Sequence, residues 1–133
     1  AGYVYNNSKF SVSEATSATY YSADGGKTIE ETEDAEITAE SDVSIIGYYT
    51  VKVTLTDVTA DNFTVEGAKK TVTDSAITYV VEGGGSLTIT PKTGVTIYVG
   101  DVAYNKDSDN KAISFSEIDA NVEIAISNTS TQP

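Results

Sequence analysis

Apolar residues recur at every second position through the second half of this chain. They are Leu87 and Ile89, then Val95, Ile97 and Val99, then Ile113 and Phe115, then Ile118, Ala120, Val122, Ile124 and Ile126. A period of two places one face of a segment in a core and the other in water, which predicts strands. Glycine, proline, asparagine and aspartate separate the runs, and these are turn residues. Residues 76–126 are therefore predicted to form a meander of β-strands on one core.

The alternation also predicts where the meander turns and where it is extended upstream. The inward positions are odd at Ile113 and Phe115 but even from Ile118 onward, so a tight turn or bulge must lie between them. Residues 43–55 alternate more regularly than any other segment and predict the strongest strand. Helical periodicity is almost absent, and one turn at residues 116–119 is the only helix candidate.

Charge and composition narrow the classes of partner. The 133 residues contain 20 acidic and 8 basic side chains, every basic one a lysine, for a net charge of -12. An acidic chain without arginine lacks the field and the bidentate fork that phosphate recognition favours, so no nucleic-acid partner is expected. No apolar run approaches the roughly 20 residues that a membrane helix needs, so no membrane insertion is expected. The expected partner is protein: the chain itself, or a larger shell or filament.

Residues that usually carry catalysis are missing. Cysteine and histidine are both absent, which removes the thiol nucleophile and the commonest acid–base group. No G-x-S-x-G sequence occurs, and the glycines at 83–85 precede a strand rather than a helix, so they predict no phosphate loop. The chain is predicted not to be an enzyme and to need no cofactor.

The first 42 residues differ from the rest, and we call residues 1–42 the N-terminal arm. The arm ends in an acidic stretch, residues 28–42, predicted to be a solvated face with some strand, with weak divalent-cation binding as the alternative. Two interpretations of the arm stay open. It is either a first edge strand followed by a loop, or an assembly arm that adds to the sheet edge of a neighbouring copy. On the second interpretation the interaction residues are Val4, Phe10, Val12, Tyr20 and Tyr21. Residues 43–127 form the β domain, and residues 128–133 are a polar tail expected to fray.

One loop has oxygen ligands at alternate positions. Asn105, Asp107 and Asp109 are spaced like positions one, three and five of a calcium loop, with Glu117 downstream. Asn110 replaces the turn glycine, and Glu117 comes one residue late. A plain hairpin loop is therefore favoured, and these three residues stay weak candidates for calcium.

The segment from Tyr48 to Ile126 resembles the Ig-like surface repeats of Gram-positive bacteria, the group that includes the B repeat of internalin B. The resemblance rests on YTVKVT at 49–54, GSLTITPKTG at 85–94 and ISFSEIDANVEI at 113–124. It implies an all-β fold, a small Ig-like β-sandwich that here carries an extended N-terminal arm. A β-grasp-like sheet is the alternative, because the period alone does not set strand order. Similar modules are non-catalytic spacers or adhesins, and some are carried on phage particles.

A single domain with an arm leads to a first hypothesis about function. It is a structural assembly subunit of a virion, as capsid decoration or fibre, or of a cell-surface filament, and is a homo-oligomer once assembled. This places the protein outside the cell, on the cell surface or in a virion. The alternative is a monomeric adhesive or carbohydrate-binding surface module that uses a tyrosine face such as Tyr79, Tyr98 and Tyr104.

Overall fold

Strands dominate the part of the chain that the computed structural model describes, which is residues 8–39, 44–109 and 111–130. The strands are β1 (Ser8–Ser11), β2 (Tyr20–Ser22), β3 (Glu30–Glu31), β4 (Glu36–Ala39), β5 (Ile46–Thr56), β6 (Phe63–Glu66), β7 (Lys70–Thr73), β8 (Ile77–Glu82), β9 (Leu87–Pro91), β10 (Ile97–Val99), β11 (Val102–Tyr104), β12 (Ile113–Phe115) and β13 (Val122–Ser127). One short α-helix, α1 (Val12–Ala15), and a 3₁₀ turn at Ala60–Asn62 complete the described elements. The all-β prediction is confirmed.

Strand β5 organises the larger sheet, because it pairs along both of its edges. Tyr48 lies opposite Glu82 of β8 on one edge and opposite Tyr20 of β2 on the other. Further along, Val51 lies opposite Val122 of the parallel strand β13, on the edge that β2 also uses. The sheet continues from β13 to β10 and β11, and from β8 to β7. A separate three-stranded sheet has the order β12-β9-β6.

The core lies between these two sheets. Its buried members come from alternate positions of the strands and from the turn before β13: Val51, Val53, Phe63, Tyr79, Val81, Leu87, Ile89, Ile97, Ile113, Ile118 and Ile126. Thr88 and Thr90 on β9 point to the other side of their sheet, as a period of two requires. Two sheets enclosing one core form a sandwich-like fold, and the described part of the chain has no long helix to cover a β-grasp-like sheet.

The predicted change of phase before the last strand is present. Glu117 has a φ of 50°, in the left-handed region, between β12 and β13. Its neighbour Ile118 donates its amide to the Gly85 carbonyl at 3.0 Å and accepts a hydrogen bond from the Gly84 amide at 2.7 Å. These two bonds replace ladder pairing across the turn, so the chain re-enters the sheet with even positions facing inward.

The described part of the arm, residues 8–39, is folded against the sandwich. Strand β1 pairs antiparallel with β4, and β2 pairs with both β3 and β5. This differs from the expected extended arm, because its apolar side chains are buried in small clusters together with Ile45, Tyr48 and Val80. Of the predicted tail, residues 128–130 are described, and Ser127 Oγ donates to the Thr129 carbonyl at 2.6 Å. Among the described residues no helix is long and apolar enough to cross a membrane.

Candidate docking site on strand β5

The arm reaches the sandwich by adding a strand to the edge of β5. Tyr20, Tyr21 and Ser22 lie opposite Tyr48, Gly47 and Ile46 in antiparallel register. Just before this strand, the Thr19 amide donates to the Tyr48 carbonyl at 3.1 Å. Strand addition satisfies main-chain groups that an open edge would leave unpaired. The arm therefore covers the first part of the edge that β13 covers further on.

Asn121 bridges the gap between the arm and β13. The Thr50 amide donates to Asn121 Oδ1 at 3.0 Å, and Asn121 Nδ2 donates to Thr19 Oγ1 at 2.7 Å. A side-chain amide has both an acceptor and donors, so one residue satisfies the β5 backbone and also binds the arm. Asn121 thus connects the arm, β5 and the turn before β13. It does so at the point along β5 where pairing with β2 stops and pairing with β13 starts.

Gly47 allows the arm to approach the β5 backbone closely. A Cβ atom at Gly47 would lie 2.6 Å from Thr16 Oγ1 and 2.9 Å from Ala18 Cβ. Both distances are too short for ordinary contact, so any side chain there would displace the residues that lead into β2. We call residues 46–50 of β5, together with Asn121 and Lys70, the arm seat.

The β2–β3 hairpin extends the larger sheet from the edge of β5, and Tyr20 packs on the outer face of that sheet. Tyr20, Tyr48 and Val80 form a buried cluster there, with Ile29 and Ile46 packed against it. Lys70, on β7, closes the far side: its Nζ donates to the Ile29 carbonyl at 2.8 Å and lies 5.9 Å from the centre of the Tyr20 ring. Burial, with a smaller effect from the Glu31 charge, raises the pKa of Tyr20, which keeps its phenol neutral.

A compact hydrogen-bonded turn sets the shape of this hairpin. The buried Ser22 hydroxyl donates to Asp24 Oδ1 at 2.8 Å and accepts from the Gly26 amide at 2.8 Å. The Thr28 amide donates to the same Asp24 oxygen at 2.9 Å. Hydrogen bonds from the Thr28 amide first, and then from Ser22, lower the pKa of Asp24 to about 2. The turn is thus built around an ionised carboxylate.

On the opposite face of β2 the rest of the arm forms its own layer. Val12, Tyr21 and Ile45 are buried together, with Phe10 and Ile37 packed against them. Phe10 and Ile37 are direct cross-strand partners on β1 and β4. The Val12 amide donates to the Ala35 carbonyl at 2.9 Å, which ties α1 to the start of β4. The arm therefore contacts β2 and the start of β5 from this side as well.

Four of the five predicted interaction residues lie in the described part of the arm, where they are buried or partly buried. Val12 is 0% exposed and Tyr20 and Tyr21 are each 8% exposed, while Phe10 packs against the same cluster as Val12. Val4 lies outside the described residues. Within one chain these side chains are buried against the chain itself and do not form an exposed docking patch. Tyr20 packs with Tyr48 and Val80 on one face of β2, and Tyr21 packs in the Val12 cluster on the other.

The alternation of apolar residues in the sequence does not identify the residues of the arm seat. Asn121, Gly47 and Lys70 follow no apolar period, since their roles depend on contacts with positions far away in sequence. A glycine inside the most regular strand was the one available signal, because an isolated glycine in a strand marks close backbone approach.

The alternating oxygens at 105–109 lie in the loop that leads from β11 of the larger sheet to β12 of the three-stranded sheet, so the prediction of a hairpin loop is wrong. Asn105 Oδ1 accepts from the Asp107 amide at 2.8 Å, and Asn105 Nδ2 donates to Thr96 Oγ1 at 2.8 Å. Asp107 Oδ2 accepts from the Gly94 amide at 3.1 Å, and Asp109 is exposed. Within the described ranges no group of three or more histidine, cysteine, aspartate or glutamate side chains is placed to hold a metal ion. The loop geometry fits an Asx turn.

The three tyrosines considered for a binding face do not share one. Tyr79 lies in the core at 5% exposure, and burial raises its pKa. On the β10–β11 hairpin Tyr104 lies opposite Ile97, whereas Tyr98 lies opposite Ala103, so the two rings point to opposite faces. This arrangement offers no aromatic platform for a sugar ring.

Fold and seat together define a class of protein: a β-sandwich whose N-terminal segment is added as a strand to the first long strand of the sandwich. No protein-family model matches the chain, and no curated protein and no solved structure matches it either.

Proposed function

We propose that this protein is a non-catalytic structural subunit that docks through its N-terminal arm and a β-sheet edge. The assembly is a virion, as capsid decoration or fibre, or a cell-surface filament. The observation that carries the proposal is the strand addition of β2 to β5, with Gly47 and Asn121 shaped to receive it. Main-chain pairing supplies affinity at such an edge, and the side-chain contacts supply selectivity.

Two further properties support this proposal. A net charge of -12 keeps assembled particles apart in solution. The core between the two sheets contains no residue of the arm, so that core does not depend on the arm to fill it. The resemblance to Ig-like surface repeats supports a location outside the cell, on its surface or in a virion.

Sedimentation velocity and negative-stain microscopy of the full chain test the proposal. The chain is measured across a wide concentration series, before and after a cycle of unfolding and refolding at high concentration. We expect oligomers whose share rises with concentration. Purely monomeric behaviour throughout would overturn the proposal and favour a lone adhesive module.

A pair of full-length variants tests whether the arm is the docking element. Gly47→Val places a branched side chain where the arm passes, whereas Ala125→Val adds similar bulk on an exposed position of β13. We expect Gly47→Val to lose the ordered oligomers of the parent, because its arm no longer fits beside β5, and Ala125→Val to assemble like the parent. Equal assembly of both variants would show that docking uses another surface. If Gly47→Val does not fold, the salt and concentration dependence of the parent chain still decides whether it assembles.

A further inference from the structure

The arm seat fits a segment that every copy of the chain carries. We propose that the docking partner is a second copy, whose residues 8–39 occupy the seat of the first in place of the first copy's own arm. The inference rests on the proposed function and names its partner. Residues 40–43 join the arm to the sandwich and lie outside the described residues.

Strand pairing, a hydrogen bond and an ion pair join the parts of the arm to one another, so the arm can transfer as one unit. Strand β1 pairs with β4 and β2 pairs with β3. The Thr32 amide donates to the Thr19 carbonyl at 2.8 Å, and an exposed ion pair joins Lys9 to Glu36 at 3.2 Å. These bonds stay within residues 8–39 whichever copy provides the seat.

Every contact between arm and seat is equally available across two copies. The Asn121 bridge, the close approach at Gly47 and the Lys70 bond to the Ile29 carbonyl depend only on which residues meet, not on their chain. Exchange therefore conserves the contacts, and concentration decides between the closed monomer and the exchanged form. If the arm leaves, the first half of the β5 edge is unpaired, which is a template for strand addition.

The charge of the chain predicts how exchange responds to salt. Each copy carries a net charge of -12, so bringing copies together is opposed by repulsion. Salt screens repulsion between exposed charges over roughly 10 Å at 0.1 M. The exchanged form should therefore increase with sodium chloride concentration at constant protein concentration.

An engineered disulfide distinguishes the two forms, and the chain has no cysteine to interfere. Ser22 and Ile46 are directly opposite on β2 and β5, and such pairs are close enough for a disulfide. Lys9 and Thr38, opposite each other on β1 and β4, form a matched control pair inside the arm. Each pair is changed to cysteines in the full chain, refolded at high concentration, oxidised, and run on a non-reducing denaturing gel.

We expect the Ser22→Cys/Ile46→Cys chain to give covalent dimers or ladders from the oligomeric fraction, and the Lys9→Cys/Thr38→Cys chain to give only crosslinked monomers. Mixing the single variants Ser22→Cys and Ile46→Cys should give a covalent heterodimer for the same reason. Assembly with Ser22→Cys/Ile46→Cys linked only within chains would overturn the exchange while leaving the proposed function intact. Absence of oligomers in the parent chain would overturn both.

Because Ser22 takes part in the turn at Asp24, a measurement on the unmodified chain is also needed. Isotope-filtered nuclear Overhauser spectra of a refolded mixture of carbon-13-labelled and unlabelled chains provide it. Exchange predicts contacts between the Ala18 methyl group of one chain and Gly47 of the other, because these groups touch in the seat. Contacts confined to single chains in the oligomeric fraction would refute the exchange.

Discussion

Replacing Asn121 with alanine should destabilise the fold at one identifiable amide. The change removes the acceptor of the Thr50 amide and the donor to Thr19 Oγ1. Thr50 is buried, so its amide loses a partner that water replaces poorly, at a cost of about 1–3 kcal/mol. The bond to Thr19 is exposed, and water can replace it, so it adds little. We expect the free energy of unfolding to fall by about 1–2 kcal/mol.

Asn121→Asp is the matched control, because its carboxylate still accepts from the Thr50 amide and Thr19 can donate its hydroxyl to it. Asn121→Asp should lose less free energy of unfolding than Asn121→Ala. The one additional cost of the aspartate is the repulsion of one more negative charge in an acidic chain. Urea unfolding followed by far-ultraviolet circular dichroism gives both free energies, compared at a common m value.

Hydrogen exchange gives the site-specific readout. The Thr50 amide should be protected in the parent and in Asn121→Asp, and should exchange faster in Asn121→Ala than the change in global stability explains. The reasoning is refuted if Thr50 exchanges rapidly in the parent chain. It is also refuted if Asn121→Ala loses less than about 0.5 kcal/mol, since a buried amide without a partner must cost more.

Three further changes test other parts of the structure. Ile89→Ala empties a fully buried core position and should cost about 2–5 kcal/mol in urea unfolding, whereas the outward-facing neighbour Thr90→Ala should cost well under 1 kcal/mol. Lys70→Met removes the ammonium but keeps the apolar stem, so amide exchange in the β2–β3 hairpin should accelerate, while the exposed control Lys69→Met should not change it. The pKa of Asp24 is lowered from 3.8 to about 2 on folding, so its stabilising effect is complete above pH 3.8 and is lost as the pH falls towards 2. Asp24→Asn should reduce the dependence of the urea midpoint on pH across that window. A pH dependence equal to that of the parent would contradict the assigned pKa.

The alternation of apolar residues predicted sandwich strands such as β9 because they bury one face only. On β9, Leu87 and Ile89 are buried and Thr88 and Thr90 face outward, so the period is visible in the sequence. On β2 the same rule fails. Tyr20, Tyr21 and Ser22 are all buried, since Tyr20 packs with Val80 and its neighbours on one face and Tyr21 packs against the β1–β4 layer on the other. A strand covered on both faces has no alternation to detect.

Two other local features were hard to predict from the sequence: the oxygen spacing at residues 105–109 and the helix α1. The oxygen spacing of a calcium loop and that of an Asx turn are alike, because in both the side-chain oxygens point into the curve of the loop. At Asn105 and Asp107 those oxygens accept backbone amides. Helix α1 has only four residues, which is too short to repeat an apolar position at helical spacing.

The arm and the edge it covers explain each other physically. Strand β5 has 11 residues, whereas the strands with an open edge in the described part of the larger sheet, β3, β7 and β11, have 2, 4 and 3. Short edge strands are poor templates for pairing, and a long one must be covered. Here β13 covers the second half of one β5 edge, and the arm covers the first half. The contacts in the arm seat are the same whether the arm belongs to the same chain or to another copy. The segment that protects the monomer from uncontrolled pairing is thus chemically suited to connect two copies.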